Sequence, residues 1–226
     1  MKCPICGATT FERNDLLICS RFPICSFCTQ KNEEIENNNY ILFDLETTGF
    51  GKDKARITEI GALKVQNGVI IDTYSTFVNP GVDAAGNQIF ISSSVTAITG
   101  ITNDMVKDAP LENQVIFDFL EWCGDYTCFA GHNIIRFDIP ILKSAAKRAG
   151  CKFNPLFALD TLEISKRVLN LSNNKQTDIA QYYGFTYEAH RAVNDAEACY
   201  KILQFLQETA CKKGICISAS SLLKKD

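Results

Sequence analysis

The chain has 226 residues, 46% hydrophobic and 22% charged, with a formal net charge of −3. That is an ordinary composition for a soluble globular protein with one sizeable core and a small appendage; no global basic field announces nucleic acid, although a nuclease that gathers acids around metals can still carry a local basic groove. No apolar run approaches the length of a membrane span. Of the 11 cysteines, Cys3, Cys6, Cys19, Cys25 and Cys28 crowd the start, and the rest are scattered through apolar segments. An odd total, with a cysteine motif where a signal peptide would stand, points to a reducing, cytoplasmic setting.

Cys3-Pro-Ile-Cys6 and Cys25-Ser-Phe-Cys28 are two Cys-x-x-Cys pairs separated by eighteen residues. Four thiolates at that spacing suit one tetrahedral zinc ion in a ribbon or knuckle, with Cys19 as a substitute ligand and a disulfide pair as the weaker rival. A module of this size, residues 1–30, has too little core to fold alone, so the metal would supply its stability. Lys31–Asn39 is polar without a periodic apolar face and is expected to be a linker.

The main domain, residues 40–210, starts with Tyr40–Phe43, a short aromatic and β-branched run that suits a buried strand. Asp44 and Glu46 interrupt it, and side chains two apart on a strand share a face. Two carboxylates beside apolar residues suggest a bound cation; a helix cap or a surface salt bridge is the alternative. Ile57–Gln66 and Val69–Val78 flank Asn67-Gly68 and predict an antiparallel hairpin. Asn79–Asn87 is a loop and Ser92–Ile98 a short helix. Leu111–Cys123 has helical apolar spacing, and Thr127–Ala130 predicts a fourth strand.

After His132-Asn133, a helix is expected with Ile141, Leu142 and Ala145 inward. Asp138 falls on that apolar stripe, where an acid is hard to explain by solvation alone, with N-capping as the rival. Phe157–Leu159 predicts a fifth strand, with Asp160 as a structural cap. Helices follow over Leu162–Leu169 and Gln176–Tyr183. The last runs from about Ala189 to Ala210, with Asp195 at the border of its stripe and His190 at its start. Residues 211–226 form a tail whose polar end, Ser218–Asp226, is expected to fray.

Asp44, Glu46, Asp138 and Asp195 thus sit at ends of elements that must converge on one core. Held together they would repel one another, and two divalent cations would cancel the formal charge. Hard oxygen ligands favour Mg²⁺ or Mn²⁺ over zinc. Such a pair suits in-line displacement at phosphorus, with His190 the available general base and His132 structural.

Phe43-Asp44-Leu45-Glu46-Thr47-Thr48-Gly49, then His132-Asn133 with Phe137-Asp138, then His190-Arg191-Ala192-Val193-Asn194-Asp195-Ala196 resemble, in order, the three motifs of the DEDDh (DnaQ-like) 3′–5′ exonucleases. The resemblance covers roughly Tyr40–Leu206, and Glu46-Thr-Thr-Gly is most like the proofreading exonucleases of bacterial DNA polymerase III, PolC-type domains included. It implies an RNase H-like α/β fold with a mixed five-stranded sheet between helices. It implies that Asp44, Glu46, Asp138 and Asp195 bind the metal pair and that His190 is the base. Thr47 would help seat the terminal 3′-hydroxyl and Asn133 would support the site. The expected substrate is DNA at single-stranded or frayed 3′ ends, released as nucleoside 5′-monophosphates, with a DNA polymerase or repair protein as partner. An exoribonuclease is the close alternative. A silent binding protein that uses its zinc module to hold nucleic acid or a polymerase is the alternative of another class.

Overall fold

The computed structural model describes residues 8–13, 16–19, 28–30, 38–215 and 217–222. Near the start, β1 (Thr10–Arg13), β2 (Leu16–Cys19) and β3 (Cys28–Gln30) pair in sequence as an antiparallel three-stranded sheet. Cys3, Cys6 and Cys25 lie outside the described residues, as do the side chains of Cys19 and Cys28.

Alternation along β4 (Tyr40–Thr47) organises the main domain. Ile41, Phe43 and Leu45 enter one apolar cluster and Tyr40 and Leu42 another, so the strand is buried on both faces. Period two carries Asp44 and Glu46 onto the Leu42 side. β5 (Ile57–Gln66) and β6 (Val69–Phe77) complete an antiparallel meander. Its hairpin turns at Asn67 (φ 53°) and Gly68 (φ 77°), the two positive φ values a tight two-residue connection requires. Asn38 and Asn39, expected in the linker, fasten onto this turn: Gly68 N–H donates to the Asn38 carbonyl and Asn67 N–H to Asn39 Oδ1.

After the hairpin the chain forms α1 (Ser93–Thr99), α2 (Asn103–Val106) and α3 (Glu112–Cys123). α2 is an addition to the predicted elements; a Thr102 side-chain cap on Met105 N–H starts it. β7 (Cys128–Gly131) runs parallel to β4, α4 (Asp138–Arg148) follows, and β8 (Phe157–Asp160) runs parallel to β7. α5 (Thr161–Val168), α6 (Gln176–Tyr182) and α7 (Ala192–Lys213) close the second face.

The main sheet has six strands, one more than expected, in the order β6-β5-β4-β7-β8-β9. The sixth, β9 (Ser220–Ser221), comes from the tail expected to fray and pairs antiparallel with β8. Two serines carry no apolar alternation; what holds them is backbone pairing, the buried Ala219, and Leu222 N–H on the Leu156 carbonyl. α7 runs past Ala210 to Lys213 and stops where Gly214 turns left-handed at φ 65°. Among the described residues no helix is long and apolar enough to cross a membrane.

One contact sets the approach of α7. A Cβ on Gly61 would lie 2.1 Å from the main-chain carbon of Ala192, so only glycine lets the helix start press onto β5. Gly61 is the register partner of Asp44. The close approach therefore brings the first turns of α7 over the acids of β4.

Candidate active site

β4 ends in a bulge: Glu46 opposes Glu59, but Thr47 opposes Ile57. An extra residue on one strand bends the ladder and re-aims nearby side chains. Here Asp44 and Glu46 meet Asp195 from the first turn of α7, each offering an oxygen within 4.8 Å of the others. Asp138 is the first residue of α4 and only 3% exposed, and its Oδ1 accepts from Leu45 N–H at 3.1 Å. It stands just outside the set of three, yet its charge is the strongest of those pressing on Asp44. The rival capping role does not hold, because the N-cap position of α4 is Phe137, with no side-chain cap bond, and the Asp138 carboxylate reaches across to β4.

Burial, then the charges of Asp138, Asp195, Glu46 and Glu59, hold the Asp44 carboxyl well above the usual carboxylate range. Asp138 is raised too, chiefly by burial, against its bond from Leu45. Glu46 is pushed up to about 8 by burial, Asp195 and Glu59, with Arg191 opposing. Burial also raises Asp195, while hydrogen bonds from Tyr187 and the His190 amide oppose it. Clustered buried carboxylates strain the fold unless protons or cations neutralise them. The set, all hard oxygen donors, fits divalent cations of the Mg²⁺ or Mn²⁺ kind.

His190 lies two residues before α7, exposed, in a left-handed conformation (φ 67°), with its N–H on Asp195 Oδ2 at 2.7 Å. His132 is spent inside the fold: its Nδ1 lies 2.9 Å from Thr161 Oγ1, and burial lowers its pKa to about 4. Asp160 caps α5 through Leu162 N–H and also receives the N–H groups of Asn133 and Ile135. It thereby pins the turn at Asn133 (φ 60°) that leads into Asp138. Thr47 is buried, and its hydroxyl donates to the Gly49 carbonyl at 2.8 Å. Phe50 is 80% exposed and meets Phe137, the neighbour of Asp138, at a ring separation of 6.2 Å.

Four residues around these acids escape sequence reasoning. Glu59, 1% exposed, accepts from the Arg191 guanidinium and from Ala192 N–H, fixing the start of α7. Its signal was available: it is the one acid among the apolar residues Ile57–Val65. Arg191 also lies 5.0 Å from the Phe77 ring. Tyr187 donates to Asp195 Oδ1, and Gln176 donates to both. Nothing in the local pattern marks either.

A mixed sheet between helices, with acids converging where β4 meets α7, gives an α/β fold with a candidate divalent-cation site. Residues 41–203 match the exonuclease family model. The PolC-type DNA polymerase III of Caldanaerobacter subterraneus subsp. tengcongensis is 40% identical over 190 residues, which cover 81% of this chain and 13% of that protein. For the PolC-type enzyme of Clostridium perfringens the figures are 36% over 177 residues, 77% and 12%. The chain thus spans about 12–13% of the length of these relatives. E. coli exonuclease I in complex with a 5cy-dT13 oligonucleotide shares the fold, with a TM-score of 0.65 at 17% identity over 75% of this chain and 40% of that one. Exonuclease X in complex with 5′ overhanging duplex DNA gives 0.58 at 21% over 76% and 92%. The chain belongs to the exonuclease family, in its DnaQ-like branch.

Proposed function

We propose that this protein removes nucleotides from the 3′ end of single-stranded or frayed DNA, releasing nucleoside 5′-monophosphates. The observation that carries the reading is the convergence of Asp44, Glu46 and Asp195, with Asp138 beside them, in a setting that raises every one of the four carboxyls. These residues would hold a pair of Mg²⁺ or Mn²⁺ ions. When bound, such ions neutralise the acids, lower the pKa of water and stabilise charge developing on phosphoryl oxygens. His190, exposed beside Asp195, takes the proton of the attacking water. Thr47 and the main chain around it seat the terminal 3′-hydroxyl, and Asn133 supports the turn into Asp138. The Phe50–Phe137 pair gives the last bases an aromatic surface to stack on.

DNA is favoured as substrate by the relatives, which are DNA polymerases, and by the DNA-bound structures that share the fold. The same relatives favour a polymerase as partner. Cys3, Cys6, Cys25 and Cys28, with Cys19 as substitute, would hold one structural zinc ion ahead of the catalytic domain.

The test is nucleotide release from matched 3′-labelled DNA and RNA oligomers in Mg²⁺ or Mn²⁺. Wild type releases labelled mononucleotide first and faster from DNA, and Asp44→Ala abolishes release while keeping a folded circular-dichroism spectrum. Full activity in Asp44→Ala overturns the site. Faster release from RNA reverses the substrate. Tight binding without product by wild type points to a scaffold.

A further inference from the structure

Asp195 is held differently from any other acid at this site. The Tyr187 hydroxyl donates to its Oδ1 at 2.9 Å and the His190 N–H to its Oδ2 at 2.7 Å. Gln176, buried at the start of α6, directs one amide nitrogen at three acceptors. These are the Asp195 carbonyl at 2.8 Å, Tyr187 Oη at 3.0 Å and Asp195 Oδ1 at 3.3 Å.

The chemistry of these groups fixes the direction of each bond. A flipped Gln176 amide would set its oxygen against a carbonyl and a carboxylate, both acceptors, so the nitrogen must face them. Tyr187 Oη then accepts from Gln176, and its single proton is committed to Asp195. All three donors are neutral. They fix the orientation of the carboxylate and leave its charge in place, whereas an arginine would compete with a cation for it. Two of them, Tyr187 and the His190 amide, sit on one segment, and His190 adopts a left-handed backbone there that turns its N–H toward the acid.

We propose that Tyr187, oriented by Gln176, is a positioning residue that sets Asp195 for a divalent cation and ties the His190 segment to it, so that cation binding and the placement of His190 are coupled. The proposal rests on the reading of Asp195 as a cation ligand.

The test uses the full chain and Mn²⁺ alone, with free Mn²⁺ followed by electron paramagnetic resonance and amide hydrogen exchange followed over residues 185–191. Tyr187→Phe removes one hydroxyl; Gln176→Met keeps that hydroxyl but removes the donor that orients it. Tyr183→Phe is the control, since that hydroxyl bonds to Thr209 and the Phe205 carbonyl farther along α7. Mn²⁺ affinity is expected to fall ~10-fold or more in Tyr187→Phe, in line with outer ligand partners elsewhere, to fall in the same direction in Gln176→Met, and to hold in Tyr183→Phe. Mn²⁺ slows exchange over 185–191 in wild type, and much of that protection is lost in Tyr187→Phe. Wild-type affinity in either site variant overturns the coupling. A different result marks failure of the underlying reading: Asp195→Asn binding Mn²⁺ as wild type does, or wild type binding none.

Discussion

Glu112 and Asp44 are both acids set among apolar side chains, and the fold answers their charges in different ways. Glu112, at the start of α3, accepts two bonds from the Arg148 guanidinium at 2.9 and 2.8 Å and one from Ile57 N–H at 3.0 Å. Arg56 stands 3.6 Å away. That carboxylate is neutralised from within, and it clamps α3, α4 and the start of β5 together. Asp44, next to Asp138, Glu46 and Asp195, faces further acids. The difference separates a brace from a site: an acid buried with arginine holds elements together, while acids gathered against one another, with Asp44, Glu46 and Asp195 half-buried and Asp138 buried, call for a cation from outside.

Glu112→Ala should break the brace most severely. It leaves Arg148 and Ile57 N–H without their partner, and removing one member of a buried pair typically destabilises by about 3–5 kcal/mol. Both arginines keep some contact with water, which places the expectation near the lower end. Denaturant unfolding should show that loss while the folded fraction keeps wild-type Mn²⁺ affinity; a loss of affinity would merge the two regions into one.

Gly61→Ala is expected to rank next. Overpacking typically destabilises by about 1–3 kcal/mol, and here the clash is with the backbone of Ala192 and Val193. Because it pushes α7 off β5, it should reduce nuclease activity more than the stability loss explains, read as kcat at a temperature where the variant is fully folded. A kcat equal to wild type would show that the approach of α7 does not set Asp195.

A further effect concerns protons. The Glu46 carboxyl, pushed up to about 8, holds its proton more tightly in the native state than in the unfolded chain, where it titrates near ~4.3. Its contribution to stability is therefore lost as pH rises from about 4 toward 8 and is level above that. Melting temperatures of the cation-free protein should fall across this window, with a shallower slope in Glu46→Gln. An equal slope in both would remove Glu46 as the cause.

What sequence could and could not reveal follows the same division. Asp44, Glu46, Asp138 and Asp195 stand at ends of strongly patterned elements, so an acid there interrupts a readable periodicity; His190, read as the start of a helix from about Ala189, lies instead two residues before α7. The hairpin was equally legible, since Asn67-Gly68 encodes its own turn. β9 was not, because Ser220 and Ser221 are held by backbone pairing to β8 and by neighbours packed on either side. Tyr187 and Gln176 were hidden for a related reason. A tyrosine in a polar stretch and a glutamine at a helix start acquire meaning only when α6 and α7 bring them onto Asp195. Glu59 was within reach, as an acid inside an apolar strand, but its partner Arg191 lies 132 positions away.

Thermal unfolding of wild type and Asp44→Asn, with and without Mn²⁺, tests the central claim most directly. Without the cation, Asp44→Asn should melt above wild type, because the variant is spared the cost of either charging or protonating a carboxyl whose pKa the fold raises. With Mn²⁺ the order should reverse, because wild type gains the binding free energy and the variant gains far less. An equal rise in both on adding Mn²⁺, with their order unchanged, would contradict the assignment of these acids as a cation site.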